Sequence, residues 1–308
     1  MKSMTFKWIS GSYYFAFLLP LCLVGNVLLI VTLWKNIQTK FEAPQYKFVM
    51  SLAFSDVAFS LLFLSFTIAP FVIDTWPYGH AFCQVHGCLN MTLAFASLLN
   101  LVAISVDRYY ACCKPLHYHQ KMTPRRVTLM IAAAWIYATV LALLPILGLG
   151  EYRYFANKYS CSMVWDMKLK NGIYVKVTGA LCFFPSLLLI VFCYIKIYQA
   201  VKHQKQQVNQ VNNYFNNTNN AKNLKKDFRG ALTFIVVIIA YFITWVPYVG
   251  VHMVSLYTHS DAATMVVAEN FVDGMFSLAS AVNPFIYSVM HGPIKREIRK
   301  TVCCLKPL

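Results

Sequence analysis

Several side chains that can carry charge or bind ions lie inside long apolar segments of this chain. Asp56 is one of them, in the run Leu52-Ala-Phe-Ser-Asp56. A carboxylate among apolar residues is costly to bury, and such residues usually serve a function. One interpretation is a carboxylate satisfied by neighbouring polar groups. The other, which we favour, is a site for a cation or a proton.

A second group, Asp107-Arg108-Tyr109, ends another apolar segment. The simplest interpretation is an ion pair at the end of a helix, with the long arginine stem reaching toward water. Asp227 precedes a later apolar segment and offers a second carboxylate. Two acids that share one guanidinium form contacts that can break and reform, and this arrangement predicts a switch.

Two prolines interrupt apolar segments close to large or polar side chains. Pro247 follows Trp245, and Pro284 follows Asn283 with Tyr287 shortly after it. Proline removes a backbone hydrogen bond from a helix and bends it. Both bends have a purely structural interpretation, but the large side chain of Trp245 beside the first one also predicts a trigger for movement.

Glu269 and Asp273 are four positions apart, so a helix would place them on one face. One hypothesis is a pocket for a cationic or polar ligand. Four further polar residues would complete this pocket: His86, Asn90, Tyr248 and His252. The equal alternative is a pair of acids at a solvated helix end, neutralised by Lys176 or water. The two histidines also suggest proton sensing or a metal, although a metal site needs further ligands.

The elements that must hold these residues are membrane-spanning helices. The chain is 58% hydrophobic and 12% charged, whereas soluble domains carry roughly a quarter of charged residues. Its net charge of +16 does not indicate nucleic-acid binding, because the basic residues lie between apolar runs. Seven runs are long enough to cross a bilayer as helices: 13–34, 48–73, 82–111, 127–148, 173–199, 229–257 and 264–289.

The sequence therefore predicts an all-α membrane protein, a bundle of seven transmembrane helices. Lysine and arginine are concentrated before the second, fourth and sixth runs and after the seventh. This asymmetry predicts that those segments are cytoplasmic and that the amino terminus is extracellular. We expect a short extracellular terminus over residues 1–12, one membrane domain over 13–289 and a cytoplasmic tail over 290–308.

Two segments near the inner face have distinctive compositions. Pro293–Cys304 predicts a short amphipathic helix, with its basic residues at the lipid headgroups and Ile294 facing lipid. Gln204–Asn220 is rich in glutamine and asparagine and predicts a disordered loop between the fifth and sixth runs.

Taken in order, these residues resemble the rhodopsin-like (class A) family of G-protein-coupled receptors along nearly the whole chain. The resemblance rests on motifs in all seven predicted spans: Gly25-Asn26-Val27, Leu52-Ala-Phe-Ser-Asp56, Asp107-Arg108-Tyr109, Trp135, Pro185 with Tyr194, Trp245-Val-Pro247 and Asn283-Pro284-Phe-Ile-Tyr287. Each motif is weak alone, but their joint occurrence in the matching spans is specific.

The resemblance implies a plasma-membrane receptor that passes the signal of an extracellular ligand to a heterotrimeric G protein. Asp107 and Asp227 would hold Arg108 at rest, and outward movement of the sixth span would free Arg108 for the G protein. The implied activation switch also contains Tyr109, Tyr194, Trp245, Pro247, Asn283, Pro284 and Tyr287. Leu116 in the second inner loop is implied as a G-protein contact.

The family pattern also implies covalent and ionic features. Cys83 would pair with Cys161 in a disulfide, which an extracellular location permits, and Cys303 and Cys304 would be palmitoylated. A sodium ion would occupy a polar pocket formed by Asp56, Ser97, Trp245, Ser280 and Asn283. Ala279 replaces a polar ligand that is common in the family, which weakens the expectation of sodium binding.

The chain departs from the family pattern at three further places. Asn90 stands where amine receptors carry an aspartate. Ser277 stands where opsins carry the lysine that binds retinal, so we expect no retinal and no other cofactor. Pro185 lies nine residues before Tyr194, one more than is usual, which leaves the register of the fifth span open.

Three other functions are alternatives. Transporters and channels usually show inverted repeats. An intramembrane enzyme needs a constellation such as Ser/His/Asp, paired aspartates or His-Glu-x-x-His. We find neither pattern in the sequence and expect no enzymatic activity. A receptor fold that is constitutively active or that regulates a partner, without a diffusible ligand, stays open beside a ligand-activated receptor.

Overall fold

The computed structural model describes residues 17–36, 44–166, 169–215, 218–257 and 262–304. Within them, seven helical segments are long and apolar enough to cross a membrane, which confirms the predicted seven-helix fold. They are numbered here as spans one to seven: Leu19–Asn36, Pro44–Ile73, Gly79–Cys113, Pro124–Leu143, Lys170–Gln204, Ile238–Ser255 and Thr264–Met290.

Span three is the central helix of the bundle. It packs against spans two, four and five and against the outer loop that follows span four. Leu98, Leu101 and Ile104 on this helix are buried in the main apolar core. Other spans expose large apolar side chains outward, and Trp34 of span one is 71% exposed. Such surfaces are stable because hydrocarbon is their solvent.

Proline disturbs the helical geometry in spans two and five. Span two consists of the helix Pro44–Leu62, a 3-10 turn at Leu64–Thr67 and a short helix at Ile68–Ile73 that contains a proline. In span five, a π-helical turn at Gly179–Phe183 directly precedes the helix Phe184–Phe215 and its Pro185. A π turn holds more residues than an α turn, which offsets the helix before the proline from the helix after it.

Spans six and seven belong to the helices Thr218–Tyr257 and Ala262–Met290, and each helix continues through its internal proline. Gly25 of span one lies against the proline of span seven. A Cβ atom on Gly25 would come within 2.9 Å of the Pro284 ring, so glycine permits this close approach. Nearby, the Asn26 side chain donates a hydrogen bond to the Ser280 carbonyl at 3.0 Å.

The loop between spans four and five forms an antiparallel hairpin, here called the outer hairpin. Its strands are β1, Tyr152–Phe155, and β2, Ser160–Met163, with Tyr154 opposite Cys161. The predicted disulfide between Cys83 and Cys161 is confirmed and attaches the hairpin to the outer end of span three. A two-stranded ribbon is marginal by itself, so this attachment helps to hold it over the bundle.

Two segments at the inner face differ from expectation. The backbone of residues 204–215 and 218–220 is helical rather than disordered, because a helix that a span has already nucleated propagates at little cost. The terminal helix is confirmed at Gly292–Cys304. Ile294 is buried in the protein core instead of facing lipid, since this helix packs back against spans one and seven.

Candidate functional site

A cavity of ≈ 50 Å³ lies at the outer end of the bundle. Asn90 of span three, Tyr248 of span six, and Asp273 and Ser277 of span seven contribute to its wall. The outer hairpin covers it with residues that include Lys158. The side-chain amide oxygen of Asn90, Oδ1, is buried and has no hydrogen-bond partner among the described residues. It is therefore available as an acceptor.

Asp273 is the electrostatic centre of this cavity. Its Oδ2 lies 2.7 Å from the ammonium of Lys158, and its Oδ1 lies 3.4 Å from Nε2 of His252. Glu269 is 3.8 Å from the other ring nitrogen of His252. The two acids of span seven therefore share the buried imidazole between them, and the lysine that neutralises Asp273 is Lys158 rather than the expected Lys176.

The six residues of the predicted ligand pocket occupy different positions. Asn90, Tyr248 and Asp273 line the cavity, whereas His252 and Glu269 lie behind Asp273 and are linked to it by the contacts above. His86 is fully buried and is not among the residues that line the cavity. Its Nε2 lies 3.2 Å from the Phe63 carbonyl, and its ring stacks on Phe63, so His86 joins spans two and three.

Two residues beside the pocket were absent from the sequence prediction. In the sequence, Lys158 is one of several basic residues in the segment between spans four and five, and no motif distinguishes it. Trp165 follows the outer hairpin and stacks on His252 with 4.9 Å between ring centroids. Both come from a loop whose path depends on the hairpin, so neither helical spacing nor apolar periodicity identifies them.

A column of aromatic rings leads inward from the cavity. Tyr248 stacks on Phe276 of span seven, and Trp245 meets the same phenylalanine edge-on, at 4.8 Å between centroids. Below them, Tyr241 stacks on Trp245. Pro247 lies in the same stretch of span six.

A smaller cavity of ≈ 20 Å³ lies deeper in the bundle and includes part of the predicted sodium pocket. Asp56, Ser97, Trp245 and Ser280 line it, together with Ala279. The fifth predicted residue, Asn283, donates a hydrogen bond from Nδ2 to Asp56 Oδ2 at 3.0 Å. Asp56 is buried, and a space of this size holds about one water-sized particle.

At the inner end of span three, Arg108 and Asp107 form the predicted ion pair. Arg108 Nε donates to Asp107 Oδ2 at 2.9 Å. Tyr118 of the short helix Pro115–Lys121 donates its hydroxyl to the other carboxylate oxygen at 2.9 Å. Burial raises the pKa of Tyr118, so the phenol keeps the proton that it donates. The side chain of Asp227 lies outside the described residues.

Further residues predicted for the switch or for the G-protein contact lie along the same inner half. Tyr287 is fully buried, and Leu116 is 89% exposed at the inner surface, as a contact for a partner requires. Tyr109 is packed near Phe192 of span five. Tyr194 is packed against the main core. No group of three histidine, cysteine or acidic side chains capable of holding a metal ion occurs among the described residues.

This chain is similar to a known family and to several known proteins. The profile of the family described as "7 transmembrane receptor (rhodopsin family)" matches residues 25–287. The human 5-hydroxytryptamine receptor 4 is 29% identical over 92% of this chain and 77% of its own length. Rhodopsin of Todarodes pacificus is 32% identical over 91% of this chain and 64% of its own length.

The fold agrees with this assignment. The crystal structure of squid rhodopsin superposes with a TM-score of 0.85 and covers 98% of this chain and 88% of the rhodopsin chain, at 24% identity. The seven spans, the disulfide at the outer end of span three and the aspartate–arginine pair at its inner end occupy one continuous bundle. The chain therefore belongs to the rhodopsin family of seven-transmembrane receptors and is a G-protein-coupled receptor.

Proposed function

We propose that this receptor lies in the plasma membrane with its amino terminus outside and binds a small, positively charged ligand in the outer cavity. The observation that carries the proposal is Asp273, the one carboxylate among the described residues that line this cavity. A partly buried carboxylate attracts a cation strongly, because water screens it poorly. Asn90 Oδ1 and the hydroxyl of Tyr248 supply polar groups that would orient the ligand.

The carboxylate that binds the ligand's positive charge would come from span seven. Asn90 stands where amine receptors of the family carry an aspartate in span three, so it accepts hydrogen bonds but carries no charge. One relative is named for 5-hydroxytryptamine, an amine, and we infer that this receptor binds its cation through Asp273 instead. Ser277 lines the same cavity and donates its hydroxyl to the Asp273 carbonyl at 3.0 Å. A serine cannot form the Schiff base of a retinal pigment.

The signal would travel from the cavity to the inner face through the aromatic column. A ligand that contacts Tyr248 changes its packing on Phe276, and Trp245 touches the same ring. Span six would then swing outward at Pro247. That movement would release Arg108 from a lock formed with Asp107 and Asp227, so that Arg108 and the exposed Leu116 meet the G protein.

A sodium ion would bind in the deeper cavity. The Asp56 carboxylate and the hydroxyls of Ser97 and Ser280 line a space of about the right size, and oxygen ligands suit such a hard cation. Ala279 contributes no oxygen there, so we expect weak binding. The ion would neutralise Asp56, while Asn283 orients the carboxylate through its hydrogen bond.

Lipid would hold the inner end of the chain. The basic residues Arg296, Arg299 and Lys300 of the terminal helix are exposed, which suits contact with anionic headgroups. Cys303 and Cys304 end this helix, and we propose both as palmitoylation sites. Their side chains lie outside the described residues.

Replacement of Asp273 by asparagine tests the ligand site. A library screen on cells expressing the receptor, with several G-protein biosensors as the readout, first supplies an agonist. For a cationic agonist we expect Asp273→Asn to lower potency at least tenfold, because removal of one close charge contact costs about 1.4 kcal/mol or more. Glu151→Gln, an exposed outer acid away from the cavity, is the matched control. Equal potency in wild type and Asp273→Asn would remove Asp273 from the site.

A further inference from the structure

The ammonium of Lys158 has an unusual position for a loop lysine. It lies 2.7 Å from Asp273 Oδ2 and 5.4 Å from the centre of the Phe155 ring. The side chains of Lys158 and Asp273 are 11% and 16% exposed. A carboxylate and an aromatic face both bind organic ammonium ions in proteins. The cavity thus contains an ammonium subsite, and the receptor's own lysine fills it.

The outer hairpin holds this lysine in place. Next to Lys158, the Asn157 side-chain amide donates to Asn270 Oδ1 of span seven at 2.9 Å. The Lys158 backbone N–H donates to the Phe155 carbonyl at 3.1 Å, closing the turn between β1 and β2. Beyond the turn, Cys161 is bonded to span three. The hairpin therefore presents Lys158 to Asp273 from a pre-organised loop.

The remaining space is small. With Lys158 in place the cavity measures ≈ 50 Å³, which corresponds to a few water molecules. If a second cation entered beside Lys158, both positive charges would compete for the one Asp273 carboxylate. One of the two cations would then lack a partner in a poorly solvated site. An incoming cation must therefore exchange with Lys158.

We propose that Lys158 is a tethered occupant of the ammonium subsite and that the external ligand is a primary alkylammonium ion that displaces it. This inference rests on the proposed ligand site at Asp273. Lys158 belongs to the turn between the two strands and not to a span, so its ammonium would leave for water without the movement of a span. The hairpin then opens as the contact between Asn157 and Asn270 breaks, which enlarges the cavity for the ligand.

Because Lys158 is part of the chain, a free ligand must compete with an ammonium group that is always close to the subsite. A group on a short linker competes at an effective concentration in the millimolar range. A simple alkylammonium ion must therefore reach a higher concentration to bind the wild-type receptor than to bind a receptor without this lysine. A receptor without the lysine ammonium leaves the same subsite open, and a free ion of the same shape should bind there.

Chemical complementation of Lys158→Ala tests the proposal. This substitution removes three methylene groups and the ammonium, so the probe is n-propylammonium chloride, which replaces those atoms. The purified receptor in detergent is titrated with the probe, and the midpoint of thermal unfolding is followed. Sodium chloride at equal ionic strength and 1-propanol serve as ionic and uncharged controls. Lys170→Ala, at another outer lysine, is the matched variant.

We expect n-propylammonium to raise the unfolding midpoint of Lys158→Ala, because a ligand that binds only the folded state stabilises it. The concentration for half of the effect should be at least tenfold lower than in wild type or Lys170→Ala. The double variant Lys158→Ala/Asp273→Asn should show no response, and 1-propanol should show none in any variant.

Two results would overturn the proposal. One is equal sensitivity of Lys158→Ala and wild type to n-propylammonium, which would show that the lysine occupies no ammonium subsite. The other is a response that persists in the double variant, which would place the probe elsewhere. Neither result bears on the potency of an agonist at Asp273→Asn with Lys158 intact, so failure here is distinguishable from failure of the proposed ligand site.

Discussion

Asp107, a predicted switch residue at the inner face, is held by hydrogen bonds from two elements. Its two carboxylate oxygens accept from different elements: Oδ2 from Arg108 of its own helix and Oδ1 from Tyr118 of the second inner loop. Asp107 is fully buried, and a buried carboxylate oxygen that loses its donor carries a desolvation penalty. Tyr118 therefore helps to hold Asp107, and through it Arg108, in the observed arrangement.

Replacement of Tyr118 by phenylalanine removes one hydrogen bond and little else. A hydrogen bond to a charged group contributes about 1.5 kcal/mol or more, and a neutral one about 1 kcal/mol. The acceptor is the carboxylate that pairs with Arg108, so if the contact stabilises the resting state, basal G-protein activity should rise by about tenfold, the ratio that about 1.4 kcal/mol supports. The rise in basal activity is measured as the basal biosensor signal of Tyr118→Phe and of wild type at equal surface expression. Tyr110→Phe on the neighbouring helix turn is the control, and an unchanged signal in Tyr118→Phe would contradict the assignment.

The elements were more predictable than the contacts between them. Hydrocarbon forces a backbone to satisfy its own hydrogen bonds, so long apolar runs have to become helices. Helical spacing likewise placed Glu269 and Asp273 on one face, where they share His252. The resemblance supplied the pairing of Cys83 with Cys161, which spacing alone does not provide.

The contacts that sequence could not supply depend on loop conformation or on side-chain direction. Lys158 reaches Asp273 only because the outer hairpin folds over the bundle, and no local pattern encodes that path. His86 has the chemistry of a pocket residue, but its ring turns toward the Phe63 carbonyl. Ile294 has the pattern of a lipid-facing residue, but the terminal helix packs it against the bundle.

The docking of the outer hairpin depends on Gly87. A Cβ atom there would lie 2.6 Å from ring atoms of Tyr152, whose hydroxyl is held by the Ala142 carbonyl at 2.7 Å. Burial raises the pKa of Tyr152 and keeps this donor protonated. The ring cannot swing aside without loss of that bond, so any larger residue at position 87 must displace the hairpin.

We expect Gly87→Ala to destabilise the receptor by about 1–3 kcal/mol, the usual cost of overpacking. Thermal unfolding of the purified receptor measures the loss. Gly250→Ala is the matched control, because a Cβ atom at Gly250 in span six meets no atom within 4 Å and alanine favours the helix. Equal unfolding midpoints for Gly87→Ala and wild type would show that the hairpin tolerates displacement.

The proposed contact between Asp227 and Arg108 would link spans three and six. In the proposed lock, Asp227 before span six shares Arg108 with Asp107, so its removal should favour outward movement of span six. We expect Asp227→Ala to raise basal signalling at equal expression, with Asn223→Ala on the same helix as control. A basal level that stays equal or falls would count against the lock.

At the scale of the whole molecule, the distribution of charge favours one orientation in the membrane, with the amino terminus outside. The net charge of +16 is concentrated in the segments predicted to be cytoplasmic, where anionic lipid attracts it. The outer cavity, the aromatic column and the Asp107–Arg108 pair follow one another from the outer face to the inner face. In the proposed mechanism, this order puts ligand recognition and G-protein contact at opposite ends of a single bundle of helices.

The most direct test of receptor function is G-protein activation by wild type and Arg108→Ala, measured with a panel of heterotrimer biosensors in cells with matched surface expression. We expect wild type to activate at least one heterotrimer, either basally or with the agonist from the library screen, and Arg108→Ala to abolish this activation. Full activation by Arg108→Ala at equal expression would contradict the assignment of Arg108 as the coupling residue.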